Sequence, residues 1–475
     1  MNLFAMADPR PIHFMGIAGA GMSGLALLAR QQGVTITGCD TDPSGAADLA
    51  ALGVEIWRGH GPEHVAGARA LVVTAAVAGD HPELERARAL GVPVVRRADA
   101  LGQAVAGGLV VAVAGTHGKT TTTVMVTEAL AAAGRNPTGL AGGRVAGWGG
   151  NARLGGSELY VVEADEYDRA FLSLAPTVAV VNNVEADHLE CYGGSVAALE
   201  QAFAEFAGRA RRVIAGADDA GATRVAAGLT TPVWRVGLAA DADVRIATPE
   251  LGERGSAARI ELPGGGEAVR LGLQVPGLHN LRNAAAALAV ALELGVDLER
   301  CVTALERFTG VARRFERVGE ARGVTIVDDY AHHPTEVLAT LAAARQTFPR
   351  RRVVAVFQPH LFSRTALHGE ALGRALASAD VVVVAPIYGA REQPLPGITA
   401  DLVAQGAARA GAATVAVRDR AALVDSVAER LRPGDVVFTL GAGDVTRVGP
   451  ELLRQLGGAG GTGGTGGTGS GEQRP

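Results

Sequence analysis

A multidomain α/β architecture is predicted for this chain by three observations. Short strands rich in Val and Ile alternate with Ala/Leu/Arg stretches of helical period. Two of those strands run straight into glycine turns that open helices, the arrangement of parallel sheets with crossover helices. The chain has 475 residues, too many for one ordinary domain.

Apolar runs at 12–17, 34–38, 71–74 and 92–95 predict the strands of a first domain, residues 1–107. Gly107-Gly108 interrupts the pattern, and the strongest strand–loop–helix of the chain follows at 109–133. A second domain, 108–311, carries further strands at 159–162 and 176–181 and closes with helices at 281–294 and about 298–308. A third, 312–456, is expected to hold strands at 324–328, 352–357, 381–385 and 436–440. The Gly/Thr/Ser tail, 457–475, is of low complexity, is expected to be disordered and offers no legible chemistry.

Bulk properties narrow the function. Apolar residues make up 48% and charged residues 20%, so each domain can bury a core. A net charge of -5 lacks the basic surplus of a nucleic-acid binder. No apolar run approaches the ~18 residues of a membrane span, and the opening MNLFAMADPRPIHF does not read as a signal peptide. Cys39, Cys191 and Cys301 are too few for a disulfide framework, which leads to an expectation of the cytoplasm. Lys119 is the only lysine among 44 basic residues, the rest being arginine, so it marks a place where arginine will not serve.

Gly19-x-Gly21-x-x-Gly24 follows the first strand, and Asp40 ends the next. Such a turn lets backbone approach a diphosphate on a helix N-terminus, as in dinucleotide-binding Rossmann units. A dehydrogenase is one reading and a purely structural turn another. The second motif is sharper: a buried strand enters Gly115-Thr116-His117-Gly118-Lys119-Thr120-Thr121, a short phosphate loop. Its amides and helix dipole suit phosphate oxygens, Lys119 the β- and γ-phosphates, and the Thr120 hydroxyl Mg²⁺. Strands ending at Glu163-Ala-Asp165-Glu166-Tyr-Asp168 and at Asn182-Asn-Val-Glu185-Ala-Asp187-His188 are expected to meet that loop at one sheet edge, making Glu163 and His188 candidate metal ligands with Thr120. Gly277-Leu-His279-Asn280-Leu-Arg-Asn283 opens a helix, and its polar residues can either cap it or reach a purine and its ribose. The third domain carries Arg313-Arg314-Phe315, Asp328-Asp329-Tyr330-Ala-His332-His333, Gln358-Pro-His360-Leu-Phe-Ser363-Arg364 and Tyr388-Gly-Ala-Arg391-Glu392. No Cys-x-x-Cys or His-Glu-x-x-His spacing supports zinc at His332-His333, and recognition of phosphate or carboxylate fits these residues better.

These motifs, in this order from about residue 11 to 450, closely resemble those of the Mur ligases: His13-Phe-Met-Gly-Ile-Ala-Gly-Ala-Gly-Met-Ser-Gly, the Gly115–Thr123 loop, Glu163-Ala-Asp-Glu-Tyr-Asp-Arg, Asp187-His188, His279-Asn-x-x-Asn, Arg313-Arg-Phe and Asp328-Asp-Tyr-Ala-His-His-Pro-Thr-Glu-Val. The resemblance implies a Rossmann-like N-terminal domain for a UDP-sugar, a central P-loop ATPase domain and a Rossmann-like C-terminal domain that closes on the site. It implies ATP and Mg²⁺ as cofactors, UDP-N-acetylmuramate and L-alanine as substrates, and a monomer or weak homodimer in cytoplasmic peptidoglycan synthesis. It also implies catalytic roles for Lys119, Glu163, His188, Arg314, Asp328 and His332. ATP would be held by residues 115–121, His279, Asn280, Asn283 and Arg314, and the UDP-sugar by Gly16, Gly19, Gly21, Met22, Ser23, Asp40, Thr74 and Arg97. Two departures are visible: Ala18 stands where the family glycine loop has glycine, and the second UDP loop reads Thr74-Ala75-Ala76-Val77. Several ligases of this family carry a second lysine, carbamylated by CO₂, that holds a second Mg²⁺; this chain has no second lysine.

Overall fold

The computed structural model describes residues 3–4, 8–74, 77, 79–390 and 392–458, so Ala75, Ala76, Arg391 and nearly all of the Gly/Thr tail lie outside the described residues. The chain divides into two compact units, Met1–Ala312 and Arg313–Pro475. Unit one holds two sheets and unit two holds a third.

The first sheet comprises β1 (Ile12–Met15), β2 (Ile36–Asp40), β3 (Glu55–Arg58), β4 (Ala70–Val73) and β5 (Val94–Arg96), in spatial order β3-β2-β1-β4-β5 and parallel throughout. β1 and β4 are buried at every position, which is why their apolar runs read so clearly. The order reverses between β1 and β4, so the turns after them flank a crevice at the carboxyl edge.

The second sheet has ten strands: β6 (Leu109–Ala114), β7 (Thr138–Val145), β8 (Gly150–Arg153), β9 (Leu159–Glu163), β10 (Val178–Val181), β11 (Arg212–Gly216), β12 (Val233–Gly237), β13 (Val244–Leu251), β14 (Ser256–Glu261) and β15 (Val269–Leu273). β6 sits between β9 and β10, parallel to both. The expected parallel arrangement runs from β7 through β9, β6, β10, β11 and β12 to β13, and antiparallel strands extend the sheet at both edges. β7–β8 and β13–β14–β15 are antiparallel, because short turns join them and a parallel return needs a crossover of a dozen or more residues. The helices Lys119–Ala132 and Leu278–Glu293 pack on this sheet in a shared core that includes Val124, Met125, Leu281 and Leu288.

The third sheet comprises β16 (Glu316–Ala321), β17 (Val324–Asp329), β18 (Val353–Phe357), β19 (Val381–Val384), β20 (Ala413–Ala416) and β21 (Val436–Leu440), in order β16-β17-β21-β18-β19-β20. Only β16 runs antiparallel. No helix among the described residues is long and apolar enough to cross a membrane.

Candidate active site

The phosphate loop is shaped by two glycines and clamped by the neighbouring strand end. Gly115 has φ +136 and Gly118 φ +79, conformations that side chains rarely adopt. A Cβ on Gly115 would meet Asn182 and Asn183 at 3.0–3.1 Å, and one on Gly118 would lie 2.7 Å from Asn283 Oδ1. Those asparagines hold the loop. The His117 N–H donates to Asn183 Oδ1 at 2.7 Å, while Asn182 Nδ2 donates to the His117 carbonyl and to Thr122 Oγ1. The Glu185 N–H donates to Thr116 Oγ1, and the Glu185 carboxylate lies 3.4 Å from His117 Nε2, which holds it below the usual carboxylate range. Asn182, Asn183 and Glu185 stand in the strand-end cluster visible in sequence, yet nothing in the sequence said that they would grip the loop.

Lys119 opens the helix. Its Nζ donates to Gly115 O at 2.7 Å and to Glu166 Oε1 and Oε2 at 2.9 and 2.8 Å, with Thr116 O at 3.3 Å. Burial opposes the ammonium charge, but Glu166, Asp165 and Glu163 outweigh it and keep Lys119 protonated above its ordinary range. Burial pushes the Glu166 carboxyl up, and Lys119 works against that push. Tyr192 donates its hydroxyl to the Glu166 carbonyl at 2.6 Å. Glu166 stands in the acidic run after β9 with nothing in the sequence to single it out, and the structure makes it the partner of the only lysine.

Glu163 ends β9 opposite Val113 of β6, and its Oε2 accepts from the Gly142 N–H at 2.5 Å. Thr120 is buried, and its Oγ1 has no hydrogen-bond partner among the described residues. A buried orphan hydroxyl beside the loop suits a hard cation, which takes oxygen ligands and usually keeps waters and phosphate oxygens as the rest of its shell. His188 lies further along, in left-handed conformation, with its ring 5.1 Å from Tyr167 and its Nδ1 3.6 Å from Glu190.

The two readings of the His279 segment divide. Asn280 Nδ2 donates to Pro276 O at 2.8 Å and ties down its own helix start, whereas Asn283 faces Gly118. Desolvation, aided by Arg282, pushes His279 down to about 4 from an ordinary 6.5. The unfolded chain therefore takes up a proton that the folded chain refuses between those values. We predict that stability falls as pH drops from about 6.5 towards about 4 and then levels, and that His279→Gln flattens part of this fall in Tm against pH. Parallel Tm–pH curves for parent and variant would refute it.

Unit one also contains a cleft lined by Gly19, Gly21, Met22, Thr74, Arg97 and Glu163. Gly21 admits the Arg97 guanidinium: a Cβ there would stand 2.9 Å from Nη1. The remaining residues expected at the sugar nucleotide shape the loop without lining the cleft. Asp40 accepts from the Ala18 and Asp42 N–H groups, and the Gly16 N–H donates to Cys39 O. The Ser23 hydroxyl reaches Ala20 O and the Asn151 carboxamide of β8, a tie between the first two domains.

Unit two gathers a cationic group of its own. The Arg313 and Arg314 guanidinium carbons stand over the Tyr330 ring at 4.8 and 5.3 Å. Asp328 is buried, accepting from the Thr439 and Thr446 hydroxyls and lying 3.4 Å from Arg313 Nε. His332 Nδ1 lies 3.0 Å from Glu336 Oε2. Burial pushes Glu336 up, but His332 and Arg314 override it and hold the carboxyl well below its usual range.

Three stretches match family profiles: residues 11–108 the Mur ligase family, catalytic domain; 113–291 the Mur ligase middle domain; and 313–443 the Mur ligase, glutamate ligase domain. A UDP-N-acetylmuramate–L-alanine ligase of Cutibacterium acnes is 46% identical over 94% of this chain and 96% of its own. One of Thermobifida fusca is 45% identical over the same shares. Among solved structures, a UDP-N-acetylmuramate–alanine ligase from Thermotoga maritima superposes with TM-score 0.78 at 28% identity, over 95% of this chain and all of its own. A murein peptide ligase from Psychrobacter arcticus does so with TM-score 0.71 at 26% identity, over 94% and 99%. A phosphate loop gripped by Asn182 and Asn183, a separate glycine-loop cleft and three matching domains in order agree: this chain belongs to the Mur ligase family.

Proposed function

We propose that the protein joins L-alanine to the lactyl carboxylate of UDP-N-acetylmuramate at the expense of ATP, in peptidoglycan precursor synthesis. The observation that carries this reading is the shared position of Glu163. It stands at the end of β9, next to the strand that feeds the phosphate loop, and it also lines the cleft of Gly19, Gly21 and Arg97. The sugar nucleotide's carboxylate and the nucleotide's γ-phosphate can therefore meet within one body. Near-full-length relatives of that name support the choice of amine.

In the first step a lactyl carboxylate oxygen takes the γ-phosphoryl group and ADP departs. In the second the alanine amine attacks the acyl carbon, the C–O bond to phosphate breaks, and the amine yields a proton as the amide forms. Lys119 balances charge on the transferring group, and the Gly115–Gly118 backbone orients it; phosphoryl transfer depends mostly on such positioning and electrostatics. Arg97 suits the diphosphate of the sugar nucleotide. Thr120, Glu163 and His188 are the proposed Mg²⁺ ligands, and the ion would supply charge neutralisation on the phosphates. Arg314, Asp328 and His332 are the proposed catalytic residues of the third domain, with Arg314 also proposed to bind ATP. We assign residues 1–107, 108–311 and 312–456 to the three domains, and the cytoplasm as the place of action.

ADP release should require both UDP-N-acetylmuramate and L-alanine, with glycine, serine and a tripeptide compared as amines and NAD(H) inert. Release with tripeptide but not alanine would replace this reading with that of a peptide-recycling ligase. Reduction of NAD at a comparable rate would abolish the ligase reading.

A further inference from the structure

The first sheet has a second face that the reaction does not use. Ile12 and Phe14 of β1 point towards the helix Ala20–Gln31, while Met15 and Cys39 belong to a separate cluster under the helix Pro82–Leu90. On that second side, one donor atom from each of His13, Cys39, His64 and Glu83 lies within 4.8 Å of the others. Cys39 Sγ is 3.2 Å from Glu83 Oε1, and His64 Nδ1 is 3.1 Å from the same oxygen. His13 Nδ1 is engaged with Thr37 Oγ1 at 3.0 Å, which leaves Nε2 buried and, among the described residues, without a hydrogen-bond partner. His13 and Glu83 are both 0% exposed.

A buried carboxylate needs a compensating charge, and a buried imidazole nitrogen needs a partner. Among the described residues, the ion-pair partners of Glu83 are the imidazoles of His60 and His64, with no Arg or Lys. We propose that His13 Nε2, Cys39 Sγ, His64 and a Glu83 oxygen form a structural site for a divalent cation that prefers thiolate and imidazole, Zn²⁺ foremost. One thiolate and one carboxylate cancel a 2+ charge, and two neutral imidazoles complete a tetrahedral set. Donors around such an ion stand roughly 3.3–3.8 Å apart, so the two short separations of 3.2 and 3.1 Å must open slightly and the widest must close by roughly 1 Å. Four protein donors without an open position mark a structural rather than a catalytic centre.

Outer groups hold the ligands in place. Trp57 stacks on His64 at 4.7 Å, Thr37 orients His13, and His60 Nδ1 lies 3.1 Å from Cys39 Sγ, where it can donate to a thiolate. The cation would bind Cys39 as the thiolate and displace its proton. Cys39 also accepts, at its carbonyl, the N–H groups of Gly16 and Ile17. The ion would thereby fix the start of the glycine loop from behind.

The test uses the full chain, stripped with EDTA and titrated with Co²⁺ as a spectroscopic probe. One equivalent should produce thiolate-to-cobalt charge-transfer absorption, Zn²⁺ should abolish it, and Zn²⁺ should raise Tm where Mg²⁺ does not. Cys39→Ser should lose the absorption, and His13→Gln should weaken binding by ~10-fold or more. Tm without metal checks that each variant folds; if Cys39→Ser does not, His64→Asn takes its place. Absence of the absorption in the parent, its persistence in Cys39→Ser, parent-strength binding in His13→Gln or His64→Asn, or Co²⁺ binding without a thiolate signature would each overturn the site.

Discussion

Lys119→Arg should lose at least ~10²–10³-fold in turnover, the scale of removing one preorganised electrostatic donor, while still folding. Arginine replaces lysine at every other basic position of this chain, so general intolerance of arginine is not the reason. The reason is geometric. Four acceptors crowd a single nitrogen: Gly115 O, Thr116 O and both oxygens of Glu166 lie 2.7–3.3 Å from Nζ. A compact ammonium can serve all of them and turn to a phosphate, whereas a planar guanidinium spreads its donors across a fork that the glycine loop cannot take in. Lys119→Met should behave differently, losing ~3–5 kcal/mol of stability by stranding buried Glu166, with Lys119→Met/Glu166→Gln recovering most of it. Because no second lysine exists to be carbamylated, parent activity should not change when bicarbonate is added to CO₂-depleted buffer. Native-like turnover in Lys119→Arg, or a bicarbonate requirement in the parent, would defeat this account.

What could be read in advance follows from how each feature is built. β1, β4, β6, β10 and β21 are buried along nearly their whole length, so they appear as apolar runs, interrupted only by His13 in β1 and Thr439 in β21. β3 was missed because Glu55-Ile-Trp-Arg58 is an edge strand of exposed and half-buried residues. The hairpin strands β7–β8 and β13–β15 were missed because polar residues break up their apolar pattern and glycines interrupt β7, β8 and β15. At the site, Lys119 and Thr120 were legible because loop and helix are adjacent in sequence. Glu166 was not: two strand-end glutamates three positions apart look alike until the left-handed turn at Asp168 and Arg169 is seen. Asn151, which joins two domains through Ser23, sits in a strand with no motif. The His13–Cys39–His64–Glu83 cluster left no linear signal, since its members come from four separate segments.

Glu163 and His188 carry the second large effect, ~10²-fold or more in turnover for each alanine variant, with the Mg²⁺ requirement rising. Glu163 has two jobs that a pair of variants can separate. Its Oε2 accepts the Gly142 N–H, which holds β7 against the cleft, and its charge stands where phosphate oxygens and a hard cation are expected. Glu163→Gln can keep the hydrogen bond and loses only the charge, so it should fall nearly as far as Glu163→Ala while melting closer to the parent. His188 is held in a conformation that costs a non-glycine residue ~1–2 kcal/mol, with its N–H donated to Asp187 Oδ1 at 2.8 Å and its ring edge against Tyr167. Such strain persists where the surroundings enforce it, and it concentrates at working sites. His188→Asn tolerates the same backbone but cannot place an imidazole nitrogen, so it should fold and still fail at limiting Mg²⁺. Near-native turnover at limiting Mg²⁺ in either alanine variant would remove that residue from the metal site. A Glu163→Gln enzyme as active as the parent would reduce Glu163 to a tether for Gly142.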